Sequence, residues 1–189
     1  MLKFSQVEIK HLLRAWILVS LMFAIAMTGL SSQLLIVLPF TLFTAGIAFL
    51  LHELAHKAVA QSYRCWAEFR ANDQMLVLGL ILSFTGMIIA APGGVYIHRA
   101  SRDQHGKIAL AGPMTNVLLA ALFLALSKIT SSAILLSLFA YGIHINSLLA
   151  AFNLIPFPPF DGKSVWDWNK AAYIFAAILA GGLIVVTTV

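Results

Sequence analysis

The chain alternates long apolar runs with short polar segments, and the runs have the length that bilayer-crossing helices need, about 20 residues at 1.5 Å each. Residues 12–30 form the first run and 34–60 the second, separated by Ser31-Ser32-Gln33. Later runs cover 108–127, 132–152 and 171–186. Pro39 inside the second run is tolerable in a membrane helix because neighbouring helices satisfy the carbonyl it frees. The first run is long and is not followed by an Ala-x-Ala-like cleavage site, so it reads as a retained span and not a signal peptide. No repeat, low-complexity tract or linker interrupts the pattern, which predicts one membrane-embedded domain over 1–189 with its core at about 34–170.

Between the second and third spans the pattern is ambiguous. A wet segment at 61–74 precedes an apolar stretch at 75–97 that is nominally long enough to cross. Gly79, Gly86 and Pro92-Gly93-Gly94 break it repeatedly. Charge decides the matter. If the stretch does not cross, every Lys and Arg except Lys128 falls on one side; if it does, the twelve basic residues split seven and five. The positive-inside rule favours the first arrangement, with the basic side and the amino terminus cytoplasmic and the carboxyl terminus outside. The expected fold is therefore an all-α polytopic membrane protein of about five spanning helices (six if residues 75–91 cross) plus a re-entrant or short β element. Non-spanning backbone at that depth must be buried in protein or face a wet cavity.

Composition agrees: 61% hydrophobic and 10% charged residues with a mean hydropathy of +0.93 describe an integral membrane protein, on this reading in a prokaryotic cell membrane. The net charge of +5 is carried by basic residues set singly between apolar runs, which fits topology and anionic lipid and gives no expectation of nucleic acid. Cys65, the single cysteine, excludes an intrachain disulfide and a Cys-rich zinc cluster. Trp16, Trp66, Trp166 and Trp168 lie near predicted interfaces and read as headgroup anchors.

At the end of the second apolar run stands His52-Glu53-Leu54-Ala55-His56. On a helix, residues four apart share a face, so His52 and His56 can offer two imidazole nitrogens to one Zn²⁺ with Glu53 beside them as a candidate general base. A catalytic zinc needs a third protein ligand. The acidic candidates are Glu8, Glu68, Asp73, Asp103, Asp161 and Asp167, and all but Asp161 lie in polar segments where a solvated side chain is expected. Asp161 follows a rigid Pro156-Phe157-Pro158-Pro159 stretch at the cytoplasmic end of the fourth span, on the same side as the two histidines if 75–97 does not cross. Asn116 is an intramembrane polar group that needs a partner, and His144, within span four, is expected to bond a polar group of a neighbouring span.

Three segments together, Phe49 through His56, Gly112-Pro113-Met114-Thr115-Asn116 and Asn153 through Gly162, resemble in content and order the site-2 protease family of intramembrane zinc metalloproteases. The resemblance implies one catalytic zinc held by His52, His56 and Asp161, water activated by Glu53, and Asn116 and Asn153 orienting the substrate backbone or polarising the scissile carbonyl. It also implies that residues 75–97 supply membrane-embedded strands beside the site, with 89–96 as the edge onto which an unwound substrate adds by β-augmentation. The expected activity is endopeptidase cleavage of transmembrane protein substrates within or near their membrane segments, as in regulated intramembrane proteolysis. Lys163 stands where many family members carry a small residue, and no PDZ-like accessory domain is evident. Competing readings are an ion or solute transporter using the His/Glu/Asp cluster, an inactive membrane scaffold, and a prenyl-protein-type membrane protease, which would not use Asp161.

Overall fold

A computed structural model describes residues 2–88 and 92–188 and is mostly helical. Helix α1 (Gln6–Thr28) is started by Ser5, whose hydroxyl accepts the Glu8 N–H. The second apolar run folds as one 29-residue rod, Leu34–Ser62. It consists of α2 (Leu34–Thr41), a π-helical turn (Leu42–Gly46) and α3 (Ile47–Ser62). Pro39, which has no N–H to give the helix ladder, lies just ahead of the π-turn. Polar side chains seam this irregular stretch to α1: Trp16 Nε1 donates to the Leu42 carbonyl at 3.0 Å and Thr41 Oγ1 to the Ser20 carbonyl at 2.8 Å. Trp16 is thus tied between the first two helical rods by its one polar atom, in place of the headgroup contact expected for it.

Strand β1 (Trp66–Ala71) follows, and then residues 75–97 resolve into α4 (Asp73–Ser83) and β2 (Gly93–His98). Eleven residues of helix reach about 16 Å, half the hydrocarbon thickness of about 30 Å, so α4 is too short to cross. The chain turns back instead, and β2 pairs antiparallel with β1 from Trp66↔His98 to Ala71↔Gly93. Of the edge expected at 89–96, residues 89–91 lie outside the described residues and the rest belongs to β2 from Gly93 onward.

Helix α5 (Arg102–Ser127), opened by a Ser101/Gln104 capping box, packs against α3, α6 (Ala133–Asn153), α7 (Asp161–Trp168) and α8 (Lys170–Thr188). Four helical rods, Gln6–Thr28, Leu34–Ser62, Arg102–Ser127 and Ala133–Asn153, are long and apolar enough to cross a membrane; Asp73–Ser83 and Lys170–Val185 are shorter apolar helices. The fifth expected span thus corresponds to α8, whose described apolar stretch falls below that length. One core cluster joins α1, α3, β1 and α6 around Phe49 and Phe69, whose rings meet edge to face at 5.8 Å. A second joins α5, α6 and α8 around Val117, Ala150 and Ala180.

Two carboxylates expected in water are buried. Glu8 is 0% exposed and receives the Lys57 ammonium at 2.7 Å on each oxygen, together with the Phe69 N–H at 2.9 Å. Lys57, 1% exposed, also donates to the Ala67 carbonyl at 2.9 Å. Charges leave water only when paired and hydrogen-bonded, and here the partner lies 49 residues away, which local composition could not reveal. Glu68 is buried too, bonded by Ser5 Oγ and by Arg70 at 2.7 Å. His144 faces outward from α6 and forms no hydrogen bond or ion pair among the described residues.

Candidate metal centre

The His-Glu-x-x-His spacing lies on α3, where its helical period turns His52, Glu53 and His56 inward. Their exposures are 5%, 8% and 6%. Asp161 opens α7, and its carboxylate reaches both imidazoles, with Oδ2 3.2 Å from His52 Nε2 and 3.2 Å from His56 Nε2. The two Nε2 atoms are 3.0 Å apart. Burial would raise the Asp161 carboxyl, but the neighbouring His56 and His52 imidazoles outweigh it and hold the group well below the usual carboxylate range.

The donor set fits a metal ion. His56 Nδ1 faces the Ile108 carbonyl at 2.7 Å, and a carbonyl can only accept, so Nδ1 carries a proton and Nε2 is the nitrogen left to meet a metal. His52 Nδ1 faces Asn116 Oδ1 at 2.6 Å with the same result. Two Nε2 atoms and a carboxylate oxygen therefore converge, an arrangement that calls for a cation, a proton or a metal ion, between them. Tetrahedral zinc with bonds of about 2.0–2.1 Å has ligand–ligand edges of about 3.3 Å, close to the 3.0–3.2 Å seen here. Glu53 Oε2 is buried with no hydrogen-bond partner, as expected of a carboxylate kept for a water or substrate group. Among the described residues, His52, His56 and Asp161 are the group whose ligand atoms lie close enough together that they could hold a metal ion.

Gly112 makes room for this centre. A Cβ at that position would lie 2.3 Å from His56 Nε2 and 2.6 Å from His52 Nε2, so α5 can press on the ligand pair only through a glycine. The adjacent Pro113, inside α5, is buried at the same approach.

The centre opens into a cavity of about 250 Å³ lined by Glu53, His105, Asn153 and Ser164 and, along one wall, by Gly93, Gly94, Val95 and Ile97. Hydrogen bonding defines that wall. On β1, the Ala67 carbonyl and the Phe69 and Ala71 N–H groups are taken by Lys57, Glu8 and His11 from the side away from β2. In an antiparallel ladder, paired residues whose main-chain groups point away do so on both strands. Their partners Ile97, Val95 and Gly93 thus present N–H and C=O groups on the outer edge of β2, toward the cavity.

The two asparagines singled out in the sequence occupy different places. Asn153 lines the cavity and spends Nδ2 on the Leu149 carbonyl at 2.9 Å, leaving Oδ1 and a second Nδ2 hydrogen. Asn116 stands behind His52, 0% exposed, with Nδ2 bonded to the Ala48 carbonyl at 3.2 Å and to Asn146 Oδ1 at 3.0 Å. Asn146, on α6, is buried beside it and donates to the Gly142 carbonyl at 2.8 Å. A polar residue in the apolar run 132–152 was the signal available for it.

Comparison with known proteins adds one relative. A protein of Methanocaldococcus jannaschii named "Putative zinc metalloprotease" is 44% identical over 148 residues, 76% of each chain. No family model matches the sequence, and no solved structure matches the chain.

Proposed function

The chain belongs to the zinc metalloprotease family of this relative, and from that premise we propose that it is an intramembrane endopeptidase of the site-2 type, cutting transmembrane proteins within or near their membrane segments. One observation carries the reading: the His52, His56 and Asp161 ligand atoms converge at the end of a helical rod long enough to span a membrane, beside the free edge of a β-strand. His52, His56 and Asp161 hold a single zinc. When bound, zinc supplies a Lewis acid that acidifies water and polarises a carbonyl. Glu53 Oε2, buried and unpartnered, takes the proton of the attacking water and returns it to the leaving amine. Asn153 offers its free Nδ2 hydrogen to the scissile carbonyl, and Asn116 serves the site through His52. A substrate helix satisfies its own amides and must unwind before it can be cut, and the outward groups of Gly93, Val95 and Ile97 replace the bonds it loses. By the charge distribution, the amino terminus and the active-site end face the cytoplasm of a prokaryotic cell.

The test is cleavage in detergent micelles of a polypeptide with one apolar transmembrane segment. The product should arise inside or beside that segment, vanish with a zinc chelator and return with added zinc. Chelator-insensitive cleavage, or none, would overturn the reading.

A second outcome addresses the strand edge. Val95→Pro removes an outward N–H while sparing the β1–β2 ladder, a substitution that edge strands accept. Zinc content should be unchanged and kcat/KM should fall on the order of tenfold, from the lost hydrogen bond and the bulk of the ring at the edge. Undiminished cleavage by Val95→Pro would exclude the β2 edge as the substrate platform.

A further inference from the structure

We infer that Asn146 is a positioning residue that locks His52 in its metal-binding tautomer through Asn116. The inference deepens the zinc reading above and rests on it.

Three helices contribute to one directed chain of hydrogen bonds. Asn146 Nδ2 on α6 donates to the Gly142 carbonyl of its own helix at 2.8 Å, and that fixes which end of its amide turns away. Oδ1 then faces α5 and accepts from Asn116 Nδ2 at 3.0 Å. The other Asn116 Nδ2 hydrogen goes to the Ala48 carbonyl of α3 at 3.2 Å. With both hydrogens directed at oxygens, Asn116 can only present Oδ1 to His52, and it does so at 2.6 Å. His52 must then carry its proton on Nδ1, leaving Nε2 as a ligand.

The lock matters because an asparagine amide is nearly symmetric in shape. Turned over, Asn116 would present its NH₂ group to His52 Nδ1 and favour the tautomer with the proton on Nε2, which cannot bind a metal. In the observed arrangement that turn would set Asn116 Oδ1 against both the Ala48 carbonyl and Asn146 Oδ1. Asn116 and Asn146 are each 0% exposed, so water does not stand in for a missing partner. Ala48 alone supplies one acceptor; Asn146 supplies the second.

The test uses the full chain in detergent, with zinc affinity measured by chelator competition and the His52 tautomer by ¹⁵N imidazole spectra of the metal-free protein, the signal being identified by its loss in His52→Gln. Asn146→Leu keeps the volume and removes the acceptor. Zinc affinity should fall on the order of tenfold, at the lower end of losses from groups behind metal ligands, and the His52 population protonated on Nε2 should rise. Asn146→Asp keeps an acceptor oxygen toward Asn116 and should restore most of both. Ser147→Ala removes a neighbouring buried hydroxyl that donates to the Ile143 carbonyl of its own helix at 2.7 Å, and it should change neither. If Asn146→Leu does not fold, Asn146→Ala carries the same comparison. Unchanged affinity and tautomer in the Asn146 variant, or an equal loss in Ser147→Ala, would overturn the lock. A wild-type protein that binds no zinc would remove the peptidase reading, and the metal-free spectra would still decide the role of Asn146.

Discussion

Glu53→Gln should retain the zinc content of the wild type and lose peptide hydrolysis by on the order of 10³-fold, within the range by which positioned acids and bases act. The two halves of this expectation come from different atoms. On the proposed reading the metal ligands are His52, His56 and Asp161, whose ligand atoms lie together, so a change at Glu53 leaves the trio intact. Glutamine matches glutamate in shape, but its amide accepts no proton at neutral pH. Glu53 Oε2 has no bond to another residue, so the substitution breaks no contact that would disturb the helix. Elemental analysis and a cleavage assay on one preparation separate the outcomes. Full activity would remove Glu53 as the base, whereas loss of zinc would make it a ligand.

Gly112→Ala should abolish zinc binding, with affinity reduced at least 100-fold, roughly the upper end of losses from groups behind metal ligands. Here the methyl group would stand 2.3 Å from His56 Nε2, where the ligand lone pairs converge. Relief is hard to find, since the opposing atoms belong to buried rings pinned at Nδ1 by Asn116 and Ile108. Gly181→Ala on α8, where an added Cβ meets nothing within 4 Å, is the matched control. Helical content by circular dichroism should be the same in both, and the difference should appear in chelator competition. Wild-type affinity in Gly112→Ala would mean that α5 yields at this crossing.

The parts of this architecture legible in the sequence are those written in local spacing or in bulk charge. The four-residue interval of His52 and His56 is a helical repeat, and it fixed their common face before any fold was known. Keeping residues 75–97 from crossing followed from the placement of the basic residues, and the short α4 with its returning strand gives that arrangement physical form. What stayed hidden depends on distant partners. Glu8 sits among polar residues near the amino terminus, and nothing local announces that Lys57 will bury it. Asn116 is separated from His52 by 64 positions and from Asn146 by 30, so their shared hydrogen bonds exist only once three helices have packed. The π-turn ahead of α3 is likewise invisible, because Pro39 announces a disturbance without specifying how the helix absorbs it.

The sheet has one edge, on β1, that is already taken and another, on β2, that is not. Lys57, Glu8 and His11 occupy the main chain of β1, and only β2 can accept another strand. A polypeptide laid along that edge can shift by two residues and recover the same hydrogen bonds with the same side chains facing inward, whereas a shift of one turns every side chain over. For a substrate held this way, imprecision in cutting has a parity: secondary cleavage points fall an even number of residues from the main one, and the odd positions between them are spared.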